Sequence, residues 1–229
     1  MAKPAPHYLG HRKRLRDRFL KSGFSGFAEH ECVELLLTLA IPRSDVKQQA
    51  KALLARFGSF RGVLDAPLAE LRSVDGIGEV AAVSLKVIRN AATLYLQETS
   101  EDAQVLHEPH RLSDYWRMEI GHLRHEVFAV AYLDSAYRLL RDGVEILQEG
   151  TIDRAAVYPR RVVEAALRRQ AAAVVLAHNH PNGNVDPTEH DKLVTRAISL
   201  AAETISLRIL DHLIVSSSDT FSFRKAGLL

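Results

Sequence analysis

The sequence predicts an α/β protein in two parts, an all-helical first domain and a second domain in which strands and helices alternate. Three observations lead there. Up to about residue 98, apolar residues recur at helical spacing and are interrupted by proline and glycine. Residues 97–108, QETSEDAQVLHE, are polar and acidic with little periodicity. Beyond residue 109, short β-prone apolar runs alternate with amphipathic stretches. The expected division is a helical domain over 1–98, a linker over 99–108 and a second domain over 109–229.

The first helical run is Ala28 to Leu39, where Val33, Leu36, Leu37 and Ala40 share a face. Ile41-Pro42 ends it, because proline cannot continue a helix and restricts the residue before it. Ser44-Asp45 caps a second helix, Val46 to Phe57, which stops at Gly58. Ala66-Pro67 marks another start, Gly76-Ile77-Gly78 another break, and Glu79 to Leu96 a final long helix. In the second half, Glu126 to Leu133 (EVFAVAYL) reads as a buried strand and Tyr137 to Ile152 as one or two more. Pro159 to Gln170 is an amphipathic helix with proline in its first turn. Ala172 to Ala177 is a short buried strand, Thr188 to Thr204 a helix, and Leu207 to Val215 and Phe221 to Phe223 are closing strands.

Composition removes several classes. Apolar residues make up 47% of the 229 and charged residues 25%, the balance of a globular chain with a core of its own. The single cysteine, Cys32, has no internal disulfide partner and reads as a small buried side chain. No apolar run reaches the length of a membrane span, and the first 30 residues hold no signal-peptide core. A cytoplasmic protein is therefore expected. Net charge is only +2, but HRKRLRDRFLK at 11–21 carries six Lys/Arg against one Asp. Such a run either attracts phosphate backbones or forms a solvated helix face.

The segment richest in chemistry is AHNHPNGNVDPTEHD, from Ala177 to Asp191. His178 and His180 lie at the exit of a strand, where side chains two apart point the same way. Asp191 falls in the first turn of the next helix, able to fold back toward the strand end. Two imidazoles and a carboxylate suit one Zn²⁺ and leave a fourth position for water, the mark of a catalytic site. Taken alone, Thr188-x-x-Asp191 also fits a capping box, and His-x-His alone is weak evidence of a metal. Thr188 can serve both purposes, capping the helix and facing the metal.

The full string, His-x-His, seven residues, Thr, two residues, Asp, is similar to the JAMM signature of the MPN (JAB) metallopeptidase-like fold. LAHNHP, DHLIVSSSDTFSF and the terminal GLL resemble the RadC family, as does HRKRLRDRFLKSGFSGFAEHECVELLLTLAIPRSDVKQQAKALLARFGSF in the first half. The resemblance covers the chain from about His11 to Leu229. It implies a cytidine-deaminase-like mixed sheet, with His178, His180 and Asp191 as zinc ligands and Thr188 as an oxyanion-stabilising hydroxyl. It also implies Glu126 as the general base that takes a proton from water and returns it to the leaving group. Glu145, Glu149 and Glu164 read as surface carboxylates and His190 as exposed, while Asp211-His212 reads either as the polar end of a strand, the favoured reading, or as a pair that supports the metal ligands from behind. Asn182 stands where that family usually has serine, and is expected to act on the turn.

LRSVDGIGEVAAVSL, Leu71 to Leu85, has the helix-hairpin-helix pattern. Gly76, Ile77 and Gly78 would form a tight turn whose N–H groups grip a phosphate, with Lys86 and Arg89 adding charge. Asp75 within the turn opposes that role. Binding of this kind would be independent of base sequence and weakened by salt. The expected function is hydrolysis of an amide or isopeptide bond in a peptide or protein substrate, with recruitment to DNA by the first domain. The alternatives are a DNA-binding repair accessory protein with little hydrolysis, and a metal-dependent nuclease.

Overall fold

The computed structural model describes residues 10–42, 44–101, 105, 109–149 and 157–229. The chain divides into two compact units, Met1–Ala92 and Thr93–Leu229. The expected linker, 99–108, lies largely outside the described residues; Thr99 still belongs to a helix.

The first unit is helical: α1 His11–Ser22, α2 Glu29–Ala40, α3 Lys47–Phe57, α4 Phe60–Asp65, α5 Leu68–Arg72 and the first part of α6 Glu79–Glu101. Its core gathers Val33, Leu37, Leu53, Val63, Leu71, Ile77 and Leu85. The helices end where the sequence places breakers: α3 at Gly58 in the left-handed conformation, α4 before Pro67. On α1 only Leu15 is buried. Lys13, Arg14, Arg16 and Lys21 are exposed, whereas Arg18 stacks over Phe27 at 3.9 Å and pairs with Glu31 at 2.5 Å.

The second unit holds α7 Pro109–Glu119, β1 Val127–Leu133, β2 Leu139–Glu149, α8 Pro159–Arg169, β3 Ala173–Asn179, α9 Glu189–Glu203, β4 Arg208–Val215 and β5 Thr220–Ser222. The sheet order is β2-β1-β3-β4-β5. Only β3 and β4 are parallel; β1 runs antiparallel to both its neighbours, and β5 to β4. The sheet is therefore mixed, as expected. Every residue of β1 and β3 is buried, which requires cover on both faces. Val127, Ala129, Ala131, Val175 and Ala177 pack with Leu112, Tyr115 and Trp116 of α7. Phe128, Val130, Tyr132, Val174 and Leu176 pack with Val162 of α8 and Ile198 of α9.

Helix α7 is absent from the sequence reading, although Leu112, Tyr115, Trp116 and Ile120 have helical spacing and are all buried. The proposed strands of 137–152 resolve to a single one, β2, and 150–152 lie outside the described residues. Among the described residues no helix is long and apolar enough to cross a membrane.

Candidate metal centre

His178 is the sixth residue of β3, on the face covered by α8 and α9, and is 1% exposed. His180 follows the strand, its N–H donating to the Val215 carbonyl at 3.3 Å. The turn back to α9 is built by its own side chains. Asn182 Oδ1 accepts from Asn184 N at 3.0 Å, Asn184 Oδ1 accepts from Asp186 N at 3.0 Å, and Gly183 takes a φ of 81°. Thr188 then caps α9, with Asp191 at the third helical position completing a capping box.

Cap and ligand set are one structure. Asp191 Oδ2 accepts from Thr188 N and from Thr188 Oγ1, both at 2.7 Å. This orients the carboxylate so that Oδ1 lies 3.2 Å from His178 Nε2 and Oδ2 3.5 Å from His180 Nε2. The two Nε2 atoms are 3.0 Å apart. Tetrahedral zinc with bonds of about 2.0–2.2 Å separates its ligand atoms by about 3.3–3.6 Å. The three groups thus stand close to the spacing of one cation's ligands, and they form a potential metal-binding group. The donor chemistry fits as well. His180 Nδ1 is 2.7 Å from the Asn184 carbonyl, which can only accept, so Nδ1 carries the proton and Nε2 of the neutral ring a lone pair. Lone pairs and a carboxylate this close need a cation between them, whether a proton or a metal.

Electrostatics says the same. Burial alone would raise the Asp191 carboxyl. Hydrogen bonds from His178, His180 and Thr188 outweigh it and hold the group well below the usual carboxylate range. Burial would lower His180, but Asp191 and the Asn184 carbonyl leave it raised. Thr188 gives its hydroxyl proton to Asp191, so in this structure it acts on the candidate ligand.

Glu126 directly precedes β1 and shares a cleft of about 10 Å³ with Phe128, His178, His190 and Asp191. That is close to the space one water molecule needs. Burial raises the Glu126 carboxyl, and the imidazoles of His178 and His180 partly oppose this. His190 is exposed, as expected, while lining the cleft.

One residue of this site, Asn179, is not singled out by its sequence. Asn179, the middle residue of His-x-His, is fully buried on the opposite side of β3. Its Oδ1 accepts from Val127 N at 2.8 Å, and its Nδ2 donates to Leu123 O at 3.2 Å and His125 O at 3.0 Å. His212 decides between its two expected roles against the favoured one, because it lies behind the candidate ligand His178. It is not a polar strand end but a fully buried ring, its Nε2 2.8 Å from His178 Nδ1 and its Nδ1 2.6 Å from Thr195 Oγ1. Burial pushes its pKa well below the ordinary value. Strand β4 lies between β3 and β5, so that position is covered, and this was the signal available. Asp211 does other work: its carboxylate accepts from Arg224 N at 3.0 Å and Ser222 Oγ at 2.5 Å, fastening the last turn.

Residues 106–228 match the family model described as the RadC-like JAB domain. The chain belongs to this RadC-like family. A UPF0758 protein of Ruegeria pomeroyi is 40% identical over 225 residues, covering 98% of this chain and 100% of the relative. A UPF0758 protein of Burkholderia cenocepacia is 37% identical over 217 residues, covering 95% of this chain and 84% of the relative. His178, His180, Asp191 and Glu126 all lie within the RadC-like match.

The hairpin of the first unit departs from its expected chemistry. Gly76 takes a φ of 77°, and a Cβ there would meet Gln49 Nε2 at 2.7 Å, so its glycine serves the turn and its packing. Ile77 is a core residue, and Gly78 O accepts from Ala82 N at 3.1 Å. Lys86 is the clear correction. Its ammonium donates to the carbonyls of Leu64, Asp65 and Ala66 at 2.9, 3.4 and 3.1 Å, closing the end of α4. Arg89 pairs with Asp65 at 3.2 Å. Both cations are therefore committed to α4, where the sequence reading had offered them to a phosphate.

Proposed function

We propose that the second unit is a zinc-dependent hydrolase of amide or isopeptide bonds in a peptide or protein. The observation that carries this is the convergence of His178, His180 and Asp191 beside the half-buried Glu126. When bound, a zinc ion would act as a Lewis acid, acidifying water and polarising a carbonyl. The rest falls to the chain. Glu126 accepts a proton from water at its carboxylate and returns it to the departing nitrogen. Its raised pKa suits a group that must hold the proton between the two transfers. Thr188 keeps Asp191 oriented. Phe128, Val157 and Val194 give the same cleft an apolar lining. The test is Glu126→Gln with peptide, isopeptide and phosphodiester substrates. Retained zinc with lost peptide or isopeptide hydrolysis supports the reading, whereas loss of phosphodiester cleavage alone favours a nuclease.

A second reading, recruitment to nucleic acid by the first unit, is favoured by α1 and no longer by Lys86. Lys13, Arg14, Arg16 and Lys21 are exposed on α1, where Leu15 is buried. Replacing these four should flatten the salt dependence of DNA retention; an unchanged slope counts against it.

A further inference from the structure

A chain of three short contacts leads away from the metal-facing side of His178. His178 Nδ1 is 2.8 Å from His212 Nε2, His212 Nδ1 is 2.6 Å from Thr195 Oγ1, and Thr195 Oγ1 is 2.6 Å from the Asp191 carbonyl oxygen. The direction of each bond follows from the last one. A carbonyl oxygen only accepts, so the Thr195 hydroxyl proton goes to it. That hydroxyl then offers His212 only lone pairs, so His212 Nδ1 carries a hydrogen. The His212 ring is fully buried, stacked on Phe223 at 4.7 Å between centroids and edge-on to Phe128 at 5.6 Å. Such surroundings do not tolerate a second proton and its charge. His212 Nε2 is therefore an acceptor, and His178 Nδ1 must donate to it.

We infer that His212 and Thr195 are positioning residues that fix His178 as its Nδ1–H tautomer and aim the Nε2 lone pair at Asp191 and His180. The path starts at the backbone of one candidate ligand and ends at the ring of another. It ties α9, β4 and β3 into one hydrogen-bonded frame around the centre. The use made of that lone pair rests on the metal reading above. The hydrogen on Nδ1 is set by His212 with or without a metal; in the metal-free chain a proton shared between Nε2 and Asp191 takes the cation's place.

The experiment is ¹⁵N NMR of histidine-labelled, metal-free protein at mildly alkaline pH, paired with chelator competition for zinc. Wild-type His178 is expected to be protonated at Nδ1. Thr195→Val keeps the shape but removes the hydroxyl; His178 should shift toward the Nε2–H tautomer and zinc affinity should fall about 10–100-fold. Thr195→Ser should restore both. A merely structural Thr195 would lower the melting temperature without moving the tautomer. A wild-type His178 whose Nδ1 carries no proton overturns the inference. So does a Thr195→Val protein with the wild-type tautomer, whatever its affinity. Should Thr195→Val fail to fold, the wild-type tautomer alone decides. The expected tautomer in a wild type that takes up no zinc would instead defeat the metal reading and leave this assignment standing.

Discussion

Asn179 holds Glu126 from both sides along the chain: its carboxamide accepts the N–H of Val127 and donates to the carbonyl of His125. The middle residue of His-x-His therefore sets where the candidate base emerges, while its two neighbours face the centre. Asn179→Ala leaves the buried Val127 N–H and two carbonyls without these bonds. The expected loss is about 2–4 kcal/mol in urea unfolding, with zinc retained and hydrolysis reduced. A change within about 0.5 kcal/mol would show that the clamp has no energetic weight.

Thr188 is predicted to matter first as a cap. Thr188→Ala removes the hydroxyl that Asp191 N donates to at 3.2 Å and that itself donates to Asp191 Oδ2. The expected cost is about 1 kcal/mol, together with weaker zinc binding, and Thr188→Ser should recover both. Equal zinc affinity in all three proteins would separate the cap from the ligand set.

His212 should make the metal-free protein acid-sensitive. Its folded pKa lies well below the ordinary value, chiefly through burial and then the charge of His178. Below pH ~6.5 the unfolded chain takes up a proton that the native ring refuses, so stability falls with pH from there down toward the native value. His180, whose pKa is raised, works in the opposite direction: its contribution is complete below ~6.5 and is lost as pH rises through its folded value. Comparison with His212→Gln cancels the His180 contribution. Wild type should lose up to about 1.4 kcal/mol more than the variant per pH unit of acidification. Parallel curves from pH ~7 to ~5 would contradict this assignment.

The hairpin glycines should differ. Gly76→Ala meets both a left-handed φ and the Gln49 side chain, and should cost about 1–2 kcal/mol. Gly78 has nothing within 4 Å of an added Cβ, so Gly78→Ala should be neutral or slightly stabilising. Thermal unfolding of both variants checks the contrast, which equal losses would remove.

Where chemistry sits in local sequence, it could be read directly. The strand-exit histidines, the Thr188 cap and Asp191 in the first helical turn depend on spacing alone, and the structure brings those groups together. The division between a helical half and a mixed sheet was equally legible, because proline, glycine and periodicity act locally. What stayed hidden depends on which strands become neighbours. His212 meets His178 only because β4 lies beside β3, and Asn179 reaches Val127 only because β1 pairs with β3. Lys86 read as a free cation because nothing in its own helix shows that the end of α4 lies within reach.

The central claim is that His178, His180 and Asp191 hold one metal ion. It is tested most directly by elemental analysis of protein purified without chelator, alongside Asp191→Ala and Glu126→Gln. About one zinc per chain is expected in wild type and in Glu126→Gln, and close to none in Asp191→Ala. A folded wild type that carries no zinc and takes none up when it is supplied would contradict the account.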